Sequence, residues 1–195
     1  STNRSAPVQI GNTIAFTFNG TNQYLSTATN AALGFGTGDF TIEFWAYPTV
    51  NTRQDWVDVA TVGSRRVLVY YTGSAIVYYP DPPNSARITG PAMTLNTWQH
   101  IAVSRNSGST RLFVNGVQVG STYTDSNDFG STNIVSIGKD SAGTTYITGY
   151  MAGIRILKGV GLYTSDFSLP TSLPTHISGT VLLLTYSLND SSGTL

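Results

Sequence analysis

Apolar and polar residues alternate over short stretches along this chain, and no stretch keeps a helical period. Ile14, Phe16 and Phe18 share one face of a strand that ends at the Asn19-Gly20 turn, and Tyr24-Leu25 opens a second. Phe40 to Tyr47 carries Phe40, Ile42 and Phe44 on one face and Thr41, Glu43 and Trp45 on the other. Large residues on both faces predict a strand inside a sandwich, its second face covered by loops or forming a concave surface. Pro48, which has no N–H for the ladder, ends it. Further strands are predicted over Val57 to Val62, Arg66 to Tyr71 and Ser74 to Tyr79, the last two joined by a tight turn at Thr72-Gly73. Asp81-Pro82-Pro83-Asn84 reads as a rigid loop. Trp98 to Arg105, Thr110 to Val114 and Val117 to Ser121 form a predicted meander. Its second turn, Asn115-Gly116, is the strongest short-range hairpin signal, since both central residues must take positive φ. Ile134 to Gly138, Tyr146 to Leu157 and Val181 to Tyr186 complete the set, the last apolar enough to be central, after a long irregular return from Gly159 to Pro174. About a dozen short strands with frequent turn signals mean an all-β, two-sheet antiparallel jelly-roll β-sandwich. The expected organisation is an N-terminal arm or linker over 1–8 and one domain over 9–195.

Composition agrees with this and removes several functions. One Glu and two Lys in 195 residues, with about a quarter Ser plus Thr, disfavour helices and leave strand-forming residues dominant. A net charge of zero with ten Lys plus Arg spread along the chain excludes a nucleic-acid partner, which needs a basic patch. No apolar run approaches the roughly 18 residues of a membrane helix, so membrane insertion is not expected. Zero cysteines exclude disulfides, thiolate metal sites and cysteine nucleophiles.

Several segments resemble one family. Phe18-Asn19-Gly20-Thr21-Asn22-Gln23-Tyr24-Leu25 is similar to the opening F-D-G-x-x-D-Y-L of laminin-G-like domains in the concanavalin A-like lectin/glucanase superfamily. Gly38-Asp39-Phe40-Thr41-Ile42-Glu43-Phe44-Trp45 resembles its x-D-F-T-I-E-F-W strand. Thr97 to Arg105 with Arg111-Leu112-Phe113-Val114-Asn115-Gly116 resembles its W-H-H-V-A-V-x-R … L-Y-V-N-G hairpin, and Gly153 to Val160 with Tyr163 and Phe167 its closing strand and return. The closing segment is most similar to versions in tailed-phage virion proteins. The resemblance implies the jelly-roll fold but not a function, because this fold hosts binders and enzymes alike. Many members hold calcium with an acid near the opening turn and another in the closing strand. Asn19 and Ala152-Gly153 stand at those positions here, so no bound calcium is expected, and no cofactor.

Little in the chain supports catalysis. Glycoside hydrolysis needs two carboxylates flanking the scissile bond, and Glu43, the only Glu, has Thr41 and Trp45 as its same-face neighbours. Glu43 reads instead as a strand acid satisfied by an Arg or a hydroxyl. The pairs Asp55 with Asp58 and Asp125 with Asp128 read as loop acids bonded to their own backbone. His100 and His176 are far apart and neither is placed as a base; His100 resembles a structural position of the family. Aromatic residues remain. Flat rings with polar edges suit sugars, and Trp56, Tyr70, Tyr78 and Tyr79 cluster in the middle strands near Arg87. Tyr70 and Tyr78 are the expected platform. Alternation requires one of Tyr70 and Tyr71, and one of Tyr78 and Tyr79, to face the core.

The chain therefore reads as a non-catalytic binding module on a virion surface or otherwise extracellular, attaching to a glycan or cell-surface polysaccharide. The competing reading is a structural decoration subunit that binds only other virion proteins through its arm and edge strands. A glycan-degrading enzyme is disfavoured for want of acids. The residues leave homo-oligomerisation open.

Overall fold

The structure, a computed structural model, describes residues 15–60, 66–140, 143 and 145–185. The expected arm, Ser1 to Val8, lies outside these residues, as do Ile14, Val62 and Tyr186 at the ends of predicted strands. In chain order the strands are β1 (Phe16–Asn19), β2 (Leu25–Ser26), β3 (Phe40–Pro48), β4 (Gln54–Ala60), β5 (Arg66–Tyr71), β6 (Ile76–Asp81), β7 (Ile88–Thr89), β8 (Gln99–Asn106), β9 (Ser109–Val114), β10 (Val117–Thr124), β11 (Ile134–Ile137), β12 (Thr148–Lys158) and β13 (Thr180–Leu184). One 3-10 turn, Ala31–Leu33, is capped by the Asn30 side chain.

Two antiparallel sheets stack, as the alternation predicts. The larger runs β1-β12-β3-β8-β9-β10, with β13 beside the second half of β12; the smaller runs β2-β11-β4-β5-β6-β7. Between them lie Phe40, Ile42, Phe44, Trp56, Val57, Val59, Val67, Val69, Ile101, Val103, Leu112, Ile154 and Ile156, all fully buried. The predicted Asn115-Gly116 turn is present with φ of 52° and 80°.

The outer face of β3 is covered by the return after β12. Thr41 Oγ1 donates to the Val160 carbonyl at 2.8 Å, Tyr163 N donates to Ser104 Oγ at 3.0 Å, and Phe167 N donates to the Gly116 carbonyl at 2.8 Å. Tyr163 and Phe167 stack at 3.8 Å between centroids and roof over Phe113 and His100. The sheet thus has a second apolar layer, which explains why β3 is large on both faces.

Some expectations need correction. Among the described residues β13 pairs with β12 alone, and all five of its residues are only half-buried, so it is not central. Its apolar run packs Val181, Leu182 and Leu184 onto the core rim. β4 begins at Gln54, not Val57, because a bulge between Asp55 and Val57 breaks strict alternation and hides the first residues of the strand. A second bulge, between Val119 and Tyr123, likewise hides the length of β10. The two-residue β7 carries too little pattern to be read.

Candidate binding site

The outer face of the smaller sheet carries the most distinctive surface. Cross-strand register sets it: Leu68 faces Tyr79, Val69 faces Tyr78, and Tyr70 faces Val77. Since neighbours along a strand point to opposite sides, Val69, Tyr71 and Tyr78 turn into the core, while Leu68, Tyr70, Val77 and Tyr79 turn outward. Tyr70 and Tyr79 meet edge to face at 6.2 Å and 76°, over a buried floor of Leu68 and Val77. Tyr79 Oη donates to Asn84 Oδ1 on the loop after β6, which fixes the ring.

A guanidinium caps the first ring. Arg53, half-exposed, sits 4.6 Å above Tyr70 and donates from Nε to Asp55 Oδ1 at 3.0 Å and to Oδ2 at 3.3 Å. Asp55 is buried, and burial pushes its carboxyl up to about 6, with the charges of Asp140 and Asp58 adding to the rise and Arg53 opposing it. Beyond Arg53, Lys139 Nζ lies 4.4 Å over the Tyr24 ring and 5.6 Å over Tyr146. Gly138 N donates to the Trp56 carbonyl at 3.0 Å and Ile137 pairs with Leu25, which brings Lys139 and Tyr24 to the end of the sheet where Arg53 leads into β4. The result is a strip of four outward tyrosines, two cations and buried carboxylates.

Of the five residues singled out from the sequence, the structure brings only Tyr70 and Tyr79 together. Trp56 is fully buried and stacks near Phe44, at 6.3 Å, because the β4 bulge turns it inward. Tyr78 is fully buried: its partner is Val69, one position off Tyr70, so the expected Tyr70–Tyr78 platform is split across the two faces of the sheet. Arg87 lies beyond β6, its guanidinium 5.4 Å from the Tyr123 ring of β10, at the seam between the sheets. Sequence reasoning missed Arg53, Tyr24, Lys139 and Tyr146, and read Asp55 as a loop acid rather than as the partner of Arg53. They come from four separate segments, and only the register of β2, β11 and β4 unites them.

The other carboxylates singled out from the sequence sit in structural roles. Glu43 accepts from Arg155 Nε at 2.6 Å and from Tyr163 Oη at 2.6 Å, matching its reading as an acid satisfied by an arginine or a hydroxyl. Asp128 Oδ1 accepts from Gly130 N at 2.8 Å and Asp125 Oδ1 from Asn127 N at 3.1 Å, local backbone bonds as expected of these two. Asp55 and Asp58 are instead buried strand residues, which corrects their reading as loop acids. Among the described residues no group of three or more His, Asp or Glu is arranged to hold a metal. The family's calcium position does not fit an ion: Asn19 Oδ1 accepts from the backbone of Thr21, Asn22 and Gln23 at 3.0, 3.2 and 3.3 Å, and Ala152 brings no oxygen side chain. Calorimetric titration with calcium is expected to show no saturable micromolar binding; saturation in that range would contradict this geometry.

Among the described residues no helix is long and apolar enough to cross a membrane. No curated protein matches the chain. In fold it is similar to domain 4 of AbnA, an extracellular GH43 arabinanase from Geobacillus stearothermophilus solved with arabinotriose: TM-score 0.61, 18% identity, covering 80% of this chain and 74% of that one. It is similar to a putative carbohydrate binding protein from Bacteroides ovatus, with TM-score 0.60 and 15% identity over 88% of this chain and 52% of that one. Domains LG4-5 of the mouse laminin alpha1 chain give TM-score 0.60 and 12% identity over 86% of this chain, which spans only 45% of the laminin structure. These likenesses are of fold. A family model described as concanavalin A-like lectin/glucanases superfamily matches residues 19–160, most of the sequence, and the chain belongs to that laminin G family.

Proposed function

We propose that this domain is a non-catalytic glycan-binding module and that the Tyr70–Tyr79 strip is its platform. One observation carries the reading: two outward rings set edge to face on an apolar floor, bordered by a half-exposed arginine locked to a buried acid. Ring faces cover the C–H surfaces of a sugar while Arg53, Lys139 and the Tyr70 hydroxyl bond its oxygens. The lack of catalysis is supported by where the acids lie. Glu43 is buried under the return and paired, and Asp55 lies beneath Arg53, so neither faces an open cleft. The arabinotriose bound by the Geobacillus domain and the description of the Bacteroides protein as a putative carbohydrate binding protein support the same class of partner. The setting we favour is extracellular, on a virion surface, from the similarity of the closing segment Arg155 to Tyr163 to phage virion proteins.

A glycan array followed by titration with the best ligand tests the platform. Tyr70→Ala and Tyr79→Ala are each expected to weaken binding by about tenfold or more, the scale of one lost ring contact, with little change in melting temperature. An array on which wild type binds nothing, or full affinity in both variants, would overturn the reading.

The pH dependence has a worked sign. Below about 6 Asp55 takes a proton, Arg53 loses its ionic partner, and the cation over Tyr70 is held less firmly. Affinity is therefore expected to fall, by up to about fivefold, between pH 7.5 and 5, and Asp55→Asn to flatten that profile. Stability from this group runs the other way. Its folded pKa is raised, so its contribution is fully present below the unfolded value of 3.8 and is lost as pH rises through about 6.

A further inference from the structure

From a second aromatic cluster, on the outer face of the larger sheet, we infer another carbohydrate site, a pocket for a single uncharged sugar residue. Tyr47 of β3 and Tyr150 of β12 are direct cross-strand partners, with rings 5.6 Å apart at 74°. Trp98 immediately precedes Gln99, which pairs with Ala46, so its ring falls beside Tyr47, at 5.5 Å and 59°. Thr49 and Asn96 complete the walls of a pocket of about 370 Å³. That volume lies within the usual range for small-molecule sites, roughly 300–1,000 Å³.

The pocket is held open by backbone. Asn96 takes a left-handed conformation, φ 54°, and its N–H donates to the Pro48 carbonyl at 2.8 Å, which pins the loop before β8 to the end of β3. Asparagine tolerates that conformation better than most residues. Tyr150 is 39% exposed, unlike the ring residues of the core. The polar edges of this cluster differ from those of the first strip. The Tyr79 hydroxyl is engaged by Asn84, whereas the Tyr47 and Tyr150 hydroxyls and the Trp98 indole N–H make no hydrogen bond to another described residue.

The lining sets the ligand class. Three rings at steep mutual angles offer apolar faces for sugar C–H groups, and an amide, hydroxyls and an indole N–H offer bonds to sugar oxygens. None of the five side chains is charged, so an acidic or basic sugar would find no counter-charge, and binding should not depend on salt. The strip around Tyr70 carries Arg53 and Lys139 and should respond to salt. The pocket extends the glycan-binding reading without needing that strip. A second contact would raise avidity on a polysaccharide surface with many repeats.

Intrinsic fluorescence isolates this pocket. Trp45 is 5% exposed and Trp56 fully buried, so Trp98 is the tryptophan a ligand can reach. The probes are cellohexaose, xylohexaose, mannohexaose and maltohexaose, each titrated at 0.1 M and 1 M NaCl. At least one should change the emission saturably, with an affinity that differs by less than twofold between the two salts. Tyr150→Ala should weaken that response at least tenfold, Tyr150→Phe should restore most of it, and Tyr70→Ala should leave it intact. No change with any of the four, a response unaffected by Tyr150→Ala, or one abolished by Tyr70→Ala would each overturn the second site. Failure of the platform alone has a different signature: no array ligand depends on Tyr70 or Tyr79 while the Trp98 response persists.

Discussion

Replacing Glu43 by alanine is expected to remove about 3–5 kcal/mol of stability, the cost of stripping one partner from a buried ionic cluster. In a domain of this size that lowers the melting temperature by roughly 10 °C or more. Glu43 is 1% exposed and binds both nitrogens of an Arg155 fork, the Tyr163 hydroxyl at 2.6 Å, and His100 Nε2 at 3.3 Å. Removing it would leave the Arg155 charge buried, with the Thr175 carbonyl at 2.8 Å as its remaining hydrogen-bond acceptor among the described residues. The damage should extend to the return, because Tyr163 anchors it through that hydroxyl and Phe167 stacks on Tyr163.

Acid titration supplies a second readout. Burial by itself would push the Glu43 carboxyl up, but hydrogen bonds from His100 and Tyr163, with the attraction of His100 and Arg155, outweigh it and hold the pKa below 4.5. A depressed carboxylate contributes stability that is present above its unfolded value and lost as pH falls through its folded one. Wild type should therefore lose stability toward low pH, and Glu43→Ala should show a shallower acid limb in denaturant melts. A loss below 1 kcal/mol at neutral pH, with an unchanged acid limb, would mean that the cluster is incidental.

How much of this was legible beforehand follows from the range of each signal. Strands with strict alternation were readable, as were turns with a local chemical demand such as Asn115-Gly116, whose left-handed φ values only a few residues accept. Gly116 also lies against the Phe167 carbonyl, where a Cβ would collide, and no local pattern announces that contact. The site was half legible. Alternation showed that one tyrosine of each adjacent pair faces out. Which one depends on the β5–β6 register, set at the Thr72–Ala75 turn, where Thr72 N donates to the Ala75 carbonyl at 2.9 Å. A shift of one residue exchanges every face. Bulges defeated the reading elsewhere: at Asp55 the extra residue put Trp56 inside and hid the acid that positions Arg53. Lys139, Tyr24 and Tyr146 converge only through tertiary pairing, such as the isolated bridge between Lys139 and Tyr146.

Tyr78, attractive as a ligand residue in the sequence, has an internal partner, and the second large effect is expected there. Its hydroxyl donates to Asp125 Oδ2 at 2.7 Å, and burial beside that carboxylate pushes the phenol well above its usual range. Asp125 is fully buried and also accepts from Thr110 Oγ1 at 2.9 Å and from Asn127 Nδ2 at 2.7 Å, with Arg105 Nη1 at 4.0 Å. One carboxylate thus ties β6 to β9 and to the loop after β10, and offsets the charge of Arg105, itself 2% exposed. Asp125→Ala would leave a buried hydroxyl pair and a buried guanidinium without it, at about 3–5 kcal/mol. Tyr78→Phe removes one hydroxyl and should cost about 1–2 kcal/mol. Chemical denaturation measures both. The same variants separate scaffold from platform: Tyr78→Phe should lower stability with glycan affinity unchanged, whereas Tyr70→Ala should do the reverse. If Tyr78→Phe instead weakened binding at unchanged stability, the register that places Tyr78 inside the sandwich would be wrong. The outward strip would then have to be redrawn around it.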